Sequence, residues 1–464
     1  MKHANAGIYP YHMPGHKRNV HGQMPEEMYR LDITEIDGFD NLHMPQGLLL
    51  DLQKKAARLY GADESFYLVN GSTGGILSAV STAVPENGHL LLSRNCHKSV
   101  YHAAYLRKLR LSYLYPKTCE GMDLLEAVTA DEVEEALATL QDVDAVLIVS
   151  PTYEGRIADI GAIAKIVHDR GIPLIVDEAH GAHLGLSNRV HENSCRLGAD
   201  LVIHSVHKTL PGLTQTALLH VCGERIDRAL LKRFLRIYQT SSPSYLLMAG
   251  IDNALRYVEE NGTKAYEDFT TGYHHMLQAL SACRHLTFPA EDAQRQDIGK
   301  LVISVRNTDM TGQELYRLLL DKYRLQLEMA AESYCLAMFT IGDSREGFDR
   351  MQAALLEIDS TLHESTHTTE QKVTLMSQRT PAVLSLREAW EAQREEVPLE
   401  KSADRIAAEF VNLYPPGTPV LVPGERITVQ MTEQIAGWLS QGLNVQGLSA
   451  NNGRQMICVV RKES

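Results

Sequence analysis

The chain has 464 residues, of which 44% are hydrophobic, and its formal net charge at pH 7 is -13. This length is too great for one hydrophobic core and predicts two to four folding units. The acidic balance argues against nucleic acid or an anionic membrane surface as the main partner. No apolar run approaches the roughly 20 residues needed to span a bilayer, and the first residues contain no hydrophobic signal core. We therefore expect a cytoplasmic protein.

Between about residues 48 and 225, short apolar runs alternate with amphipathic stretches of helical periodicity. The apolar runs are continuous, which is typical of parallel strands buried on both faces of a sheet. A helix is predicted to begin after Thr129, because Thr129 and Glu132 have the spacing of a capping box. The predicted strands are Phe66–Val69, Leu90–Ser93, Ala145–Ser150, Ile172–Val176 and Leu201–Ser205. The pattern predicts an α/β fold built on a mainly parallel sheet.

A second, smaller α/β unit is predicted beyond about residue 270. Its elements are strands over Leu301–Val305 and Leu336–Thr340 and helices over Gly312–Lys322 and Arg345–Ile358. The polar stretch Asp359–Lys372 has few large apolar groups and is the best candidate for a linker. We predict an N-terminal arm over 1–50, a large domain over 51–265, a small α/β domain over 266–365 and a C-terminal domain over 373–464.

Two of the predicted strands are followed by residues that carry chemistry. Asp177 ends one apolar run, and Ser205 and Lys208 follow another. Because ligands of such sheets bind at the carboxyl ends of the strands, these side chains are expected at one edge. Pyridoxal 5'-phosphate (PLP) needs an amine for a Schiff base, a carboxylate beside its ring nitrogen and donors for its phosphate. Alone, Lys208 is also compatible with a surface lysine and Asp177 with a strand-end carboxylate, but together they predict a PLP site.

The segment Asn70–Gly75 lies between the first predicted strand and a helix. Backbone N–H groups at a helix start, together with the hydroxyls of Ser72 and Thr73, are suited to a phosphate group. An ordinary glycine turn is the alternative interpretation. His97 follows the next strand, where its ring is placed to stack on a cofactor or to begin a helix.

His180 and His183 form a His-x-x-His pair, which raises the alternative of a metal site. The pair lies on a glycine-containing turn and lacks the helical i, i+4 spacing of zinc enzymes. We therefore predict no metal site, and a histidine-based metal hydrolase is a minor alternative.

Taken together, these motifs resemble the bacterial ornithine/lysine/arginine decarboxylases, a branch of the fold-type-I PLP enzymes. The resemblance extends over almost the whole chain, which is most similar to the short, Gram-positive arginine decarboxylase-like form without the N-terminal wing domain. It therefore does not imply the decamers of the larger members. The matching segments are Tyr11–Lys17, Asp32–Asp37, Asn70–Thr73, Asn95–Ser99, Asp177–His183, Ser205–Lys208, Thr240–Tyr245, Tyr414–Gly417 and Pro423–Glu425.

The resemblance implies a role for each motif residue. Lys208 is the Schiff-base lysine, Asp177 is the partner of the pyridine nitrogen, and His97 stacks on the cofactor ring. His180 stands where the larger members have an aromatic residue, and it belongs to the same cofactor site. The phosphate is held by Ser72, Thr73, Ser205 and His207. The large domain is then the PLP-binding domain, and the C-terminal domain is the decarboxylase C-terminal domain.

The implied reaction is decarboxylation of a basic L-amino acid, with His97 or Lys208 delivering the proton to the product. Arginine (to agmatine) is favoured over lysine (to cadaverine) and ornithine (to putrescine), because a bidentate carboxylate suits a guanidinium. Candidates for that carboxylate are Glu425, Glu35 and Asp37. Another fold-type-I PLP reaction, such as that of an aminotransferase or β-lyase, and a non-catalytic PLP-binding protein are the alternatives.

The resemblance also implies an assembly. We expect a homodimer or a higher homo-oligomer with active sites at the subunit interface. The segment around Ser241 and Ser242 is expected to reach the cofactor of the neighbouring subunit.

Overall fold

The computed structural model describes residues 17, 25–119, 122–289, 295–365, 380, 382–414 and 417–462. The predicted motif Tyr11–Lys17, apart from Lys17, lies outside the described residues, as do Pro415, Pro416 and the second half of the predicted linker.

The first part of the chain forms a central sheet covered by helices. Its strands are β1 (Glu64–Leu68), β2 (His89–Ser93), β3 (Arg110–Leu114), β4 (Ala145–Val149), β5 (Leu174–Asp177), β6 (Leu201–His204) and β7 (Ala217–Val221). Its helices are α1 (Glu26–Leu31), α2 (Leu48–Tyr60), α3 (Gly71–Ala83), α4 (Lys98–Arg107), α5 (Ala130–Thr139), α6 (Ile160–Asp169), α7 (Val206–Thr209), α8 (Arg228–Tyr238) and α9 (Tyr245–Leu280). The capping box predicted at Thr129 begins α5.

The strand order is β1-β7-β6-β5-β4-β2-β3, and the neighbours from β6 to β3 are parallel. Strand β7 is antiparallel to both of its neighbours, β1 and β6. Two antiparallel steps restore the direction, so β1 runs the same way as β6. The carboxyl ends of β1, β2, β4, β5 and β6 therefore meet at one edge of the sheet, which is where ligands of such folds bind.

Both faces of the sheet are buried, as the continuous apolar runs predicted. Leu90 and Leu92 of β2 pack into the cluster on one face, whereas Leu91 packs into the cluster on the other. Each fully buried leucine stabilises the fold by about 1.5–3 kcal/mol relative to an exposed one. The predicted mainly parallel sheet is confirmed, and β3 and the antiparallel β7 are additions to it.

A smaller unit follows α9. Its strands are β8 (Lys300–Ser304), β9 (Met329–Ala330) and β10 (Tyr334–Met338), in the order β8-β10-β9, and its helices are α10 (Gly312–Asp321) and α11 (Arg345–Asp359). The predicted linker is wrong at its start, since Asp359 ends α11 and accepts the backbone N–H groups of residues 284–286. Leu362, inside the same stretch, is buried in the core.

The C-terminal part contains two small antiparallel sheets within the described residues. Its strands are β11 (Arg394–Pro398), β12 (Val411–Leu413), β13 (Thr418–Leu421), β14 (Val445–Gln446), β15 (Leu448–Asn451) and β16 (Arg454–Val460), and its helices are α12 (Leu386–Glu391) and α13 (Val429–Ser440). The sheet orders are β11-β16-β15 and β13-β12-β14. No helix within the described ranges is both long and apolar enough to cross a membrane.

Candidate active site

Lys208 is presented by the short helix α7, which follows β6 directly. The side chain of Val206 is fully buried under this turn and anchors it to the sheet. Lys208 Nζ lies 3.0 Å from Nε2 of His180. Burial lowers the pKa of Lys208, and the nearby carboxylates of Asp177 and Glu328 only partly oppose that effect. The amine is therefore easier to deprotonate than an ordinary lysine, as a nucleophilic lysine must be.

Asp177 is the last residue of β5, on the strand next to β6. Its side chain is buried, and its Oδ1 accepts the backbone N–H of Ala179 at 3.2 Å. Burial raises the pKa of Asp177, although the Lys208 ammonium acts in the opposite direction. A buried carboxylate of this kind is stabilised by a cationic partner.

A cavity opens beside these two side chains. It brings together five of the predicted site residues, which come from the ends of four strands: Ser72, His97, Asp177, His180 and Lys208. The remaining lining residues are Ile76, Asn95, Val149, Pro151, Tyr153, Ala179 and Thr418. Of the other predicted residues, Thr73 is adjacent to Ser72 in α3, His207 is adjacent to Lys208 in α7, and Ser205 directly precedes α7.

The start of α3 forms one wall of this cavity. The helix approaches the sheet closely at Gly75, where a Cβ atom would lie 2.7 Å from Leu68 Cδ1 and 3.1 Å from Ile203 Cγ2. The side chain of Asn70 does not cap the helix, because its amide donates to the carbonyl of Tyr238 at 2.9 Å. The first turn of α3, with Ser72, thus leaves donors at the cavity for an anion.

Ser205 and His207 lie at the end of β6. The side chain of Ser205 is fully buried, and its Oγ has no hydrogen-bond partner within the described residues. His207 donates from Nδ1 to the carbonyl of Thr216 at 2.8 Å, and burial lowers the pKa of its ring. A buried hydroxyl without a partner is costly unless a ligand or water satisfies it.

His97 caps the N-terminus of α4. Its Nδ1 accepts the backbone N–H of Ser99 at 3.2 Å, which assigns the proton of the neutral ring to Nε2. Burial lowers the pKa of His97 to about 4, with a further contribution from Lys208. The ring is therefore neutral at pH 7, which suits stacking against another aromatic ring.

Sequence reasoning missed Tyr153 and Lys300. Tyr153 follows β4 at the same sheet edge. The rule that ligands bind at the carboxyl ends of strands, which identified Asp177, could therefore have identified Tyr153 as well. Its hydroxyl donates to Glu328, and its ring packs edge-on against His180 with centroids 4.9 Å apart. Lys300 begins β8 in another sheet, and its Nζ lies 2.8 Å from His180 Nδ1. No pattern in the sequence around Lys300 predicts that this side chain reaches the cavity residues.

The three carboxylates predicted for the substrate do not line the cavity of this chain. Glu425 is buried in an ion pair with Arg94, with Oε2 3.0 Å from Nη2. Glu35 accepts a hydrogen bond from Thr34, and Asp37 is exposed on the same segment. His183, the second residue of the His-x-x-His pair, is held by Asp297 at 2.9 Å.

Comparison with known proteins agrees with this architecture. Residues 1–322 match the model of the Orn/Lys/Arg decarboxylase major domain, and residues 365–449 match that of the C-terminal domain. The chain is 30% identical to arginine decarboxylase of Bacillus subtilis, over 100% of this chain and 96% of that protein. It is 29% identical to arginine decarboxylase of Bacillus anthracis, over 96% and 93%.

Among solved structures, lysine decarboxylase LdcF of Francisella novicida superposes with a TM-score of 0.84 at 16% identity. The match covers 99% of this chain and 80% of that one, and it establishes a shared fold. Because the major-domain model alone matches more than half of the residues, the chain belongs to the Orn/Lys/Arg decarboxylase family.

Proposed function

We propose that this protein is a PLP-dependent decarboxylase of basic L-amino acids, with arginine preferred over lysine and ornithine. The observation that carries the proposal is that Lys208 and the start of α3, with Ser72, line the same cavity. Asp177 lines the same cavity from the neighbouring strand. The Bacillus relatives named arginine decarboxylase support the preference for arginine.

The donors around the cavity fit PLP. Lys208 supplies the amine for the aldehyde, and the buried Asp177 carboxylate suits a protonated ring nitrogen. Ser205 Oγ, which lacks a partner among the described residues, suits a phosphate oxygen together with Ser72, Thr73 and His207. Asn95 lines the cavity and its Oδ1 is likewise buried without a partner in the described chain, so we add it to the proposed site.

The chain's own residues then orient the substrate and move protons. Bound PLP would supply an acceptor for the electron pair left at Cα when carbon dioxide departs. Asp177 stabilises positive charge on the ring and thereby favours that electron flow. Lys208 and the Nε2–H of His97 are the proposed proton sources for Cα, since both line the cavity. The apolar side chains of Ile76 and Val149 limit access of water.

For the cationic end of the substrate, we propose Glu328. Its carboxylate is exposed and lies near enough to Lys208 and Lys300 to affect both of their pKa values. Tyr153 fixes its position by hydrogen bonding. Glu425 is less suited, because its Oε2 is occupied by Arg94 and the backbone N–H of Val422.

We further propose a homodimer with active sites at the interface, in the cytoplasm. Glu35 and Asp37 lie away from the cavity of their own chain and would reach a cavity only across a subunit boundary, as would the segment around Ser241 and Ser242. A groove lined by apolar residues, among them Phe39, Leu48 and Met248, lies beside this N-terminal segment and offers a surface for the second copy. All seven cysteines are free, as expected in a reducing compartment.

The test is to supply PLP-loaded protein separately with L-arginine, L-lysine and L-ornithine and to measure carbon dioxide and the amine product by mass spectrometry. We expect agmatine from arginine at the highest kcat/KM. Cadaverine or putrescine as the main product would support decarboxylase activity but would contradict the preference for arginine. A keto acid or an elimination product, formed without carbon dioxide, would contradict decarboxylation and would indicate an aminotransferase or β-lyase reaction. Absence of any product would favour a non-catalytic PLP-binding protein.

A further inference from the structure

His180 is hydrogen-bonded to two lysines at once. Its Nε2 lies 3.0 Å from Lys208 Nζ, and its Nδ1 lies 2.8 Å from Lys300 Nζ. His180 and Lys300 are buried, with Lys300 only 2% exposed, and Lys208 is half-buried. Lys208 comes from helix α7 beside the central sheet and Lys300 from strand β8 of the smaller sheet, so the fold places one lysine at each nitrogen of the same imidazole ring.

The protons of this arrangement are constrained by the chemistry of imidazole. A neutral ring has one N–H donor and one lone pair, and a protonated ring has two donors and no acceptor. An ammonium group only donates. If both lysines were ammonium groups, the neutral ring would accept from one of them and could not bond to the other. Both contacts are therefore satisfied when one lysine is an ammonium and the other is a neutral amine.

The surroundings favour one positive charge on this trio. Burial lowers the pKa of Lys300 to about 8, against the opposing carboxylates of Asp297, Glu328 and Glu154. The charge on Lys208 adds to the lowering. Burial also lowers the pKa of His180, with contributions from both lysines, His97 and His207.

Lys300 is well placed to keep that charge. The carboxylates of Asp297, Glu328 and Glu154 act on it electrostatically and favour its charged form, and Asp297 is itself held by His183 through Oδ1. Its Nζ lies 5.3 Å from the centroid of the Tyr153 ring, a contact that stabilises a cation. The ring of Tyr153 also packs against His180, so one aromatic side chain fixes both groups.

We propose that Lys300 is a positioning residue that acts through His180 and stores the proton that Lys208 must release before its amine becomes a nucleophile. The inference rests on the proposed PLP function and deepens it. In the forward direction the Nζ–H bond of Lys208 breaks as Nε2–H of His180 forms. At the same time Nδ1–H of His180 breaks as an N–H bond of Lys300 forms. One proton thus enters His180 at one nitrogen and one leaves at the other.

The test uses apoprotein mixed with PLP and follows the absorbance of lysine-bound PLP by stopped flow across a pH series. Lys300→Met removes the stored proton and its charge. We expect the apparent pKa for attachment to rise by about one unit, so that attachment below that pKa is about tenfold slower. Lys300→Arg keeps a permanent charge that cannot be released. For this variant we expect an apparent pKa near that of the wild type and a plateau rate lowered by about tenfold or more.

Lys322→Met is the matched control, because Lys322 is an exposed lysine of the same small unit, paired with Glu357. Its profile should superpose on that of the wild type. An unshifted K300M profile would overturn the proposal, and so would a K300R protein with the wild-type plateau. If K300M does not fold, K300R alone decides whether a releasable proton is needed. Failure of the wild type itself to attach PLP would instead contradict the proposed function.

Discussion

Replacing Lys208 by alanine should lower the rate of amine formation by at least about a thousandfold. The amine is the only proposed point of covalent attachment for the cofactor, and it is also a proposed proton source. The variant should fold, because the substitution removes a buried cation whose charge is disfavoured there. The measurement is kcat with saturating substrate and excess PLP, alongside circular dichroism to confirm the fold.

The K322M variant serves as the control for this experiment as well, since it removes a lysine that is far from the cavity. It should retain wild-type kcat. An alanine variant at Lys208 with nearly wild-type kcat would contradict the assignment and would mean that another group takes over the chemistry.

Replacing Arg94 by methionine should lower the free energy of unfolding by about 3–5 kcal/mol. Arg94 is 2% exposed and forms an ion pair with Glu425. Its guanidinium also donates to the carbonyls of Pro419 at 2.6 Å and Val420 at 3.3 Å. The substitution therefore leaves a carboxylate and two carbonyl groups buried without their partner. Denaturant unfolding followed by circular dichroism measures the loss.

The double variant Arg94→Met/Glu425→Leu distinguishes the net contribution of the ion pair from the cost of leaving one buried partner alone. It should recover part of the stability lost in the single variant, because no buried charge is left without a partner. Arg256→Met, at an exposed arginine of α9, should change the free energy of unfolding by only about 0.5 kcal/mol or less. An R94M loss as small as that of the control would show that the ion pair does not stabilise the junction between β2 and the C-terminal part.

The parts of the site that follow strands could be predicted from the sequence. Asp177 ends one fully buried strand and Lys208 lies on the helical turn after another, and the parallel sheet places the ends of both strands at one edge. Strand β3 was missed because it lies at the sheet edge and carries polar and half-buried residues. Strand β7 was missed although all five of its residues are buried, and its antiparallel direction has no local signal.

Contacts between distant segments could not be predicted from local patterns. Glu425 was chosen for a substrate because its motif gave no sign of Arg94, which lies more than three hundred residues earlier. Lys300 reaches His180 from the first residue of β8, and its role depends on a second sheet packing against the first. The role of a buried charged residue depends on the residue that it contacts. When the two are far apart in sequence, only the three-dimensional structure identifies the contact.

The site of covalent attachment of the cofactor decides whether Lys208 has its proposed role. PLP-loaded protein is reduced with borohydride, digested and analysed by mass spectrometry. We expect the pyridoxyl group on Lys208, in the peptide that contains it, and on no other lysine. Recovery of the group on Lys300, the second buried lysine beside His180, or its absence from every peptide, would contradict the account.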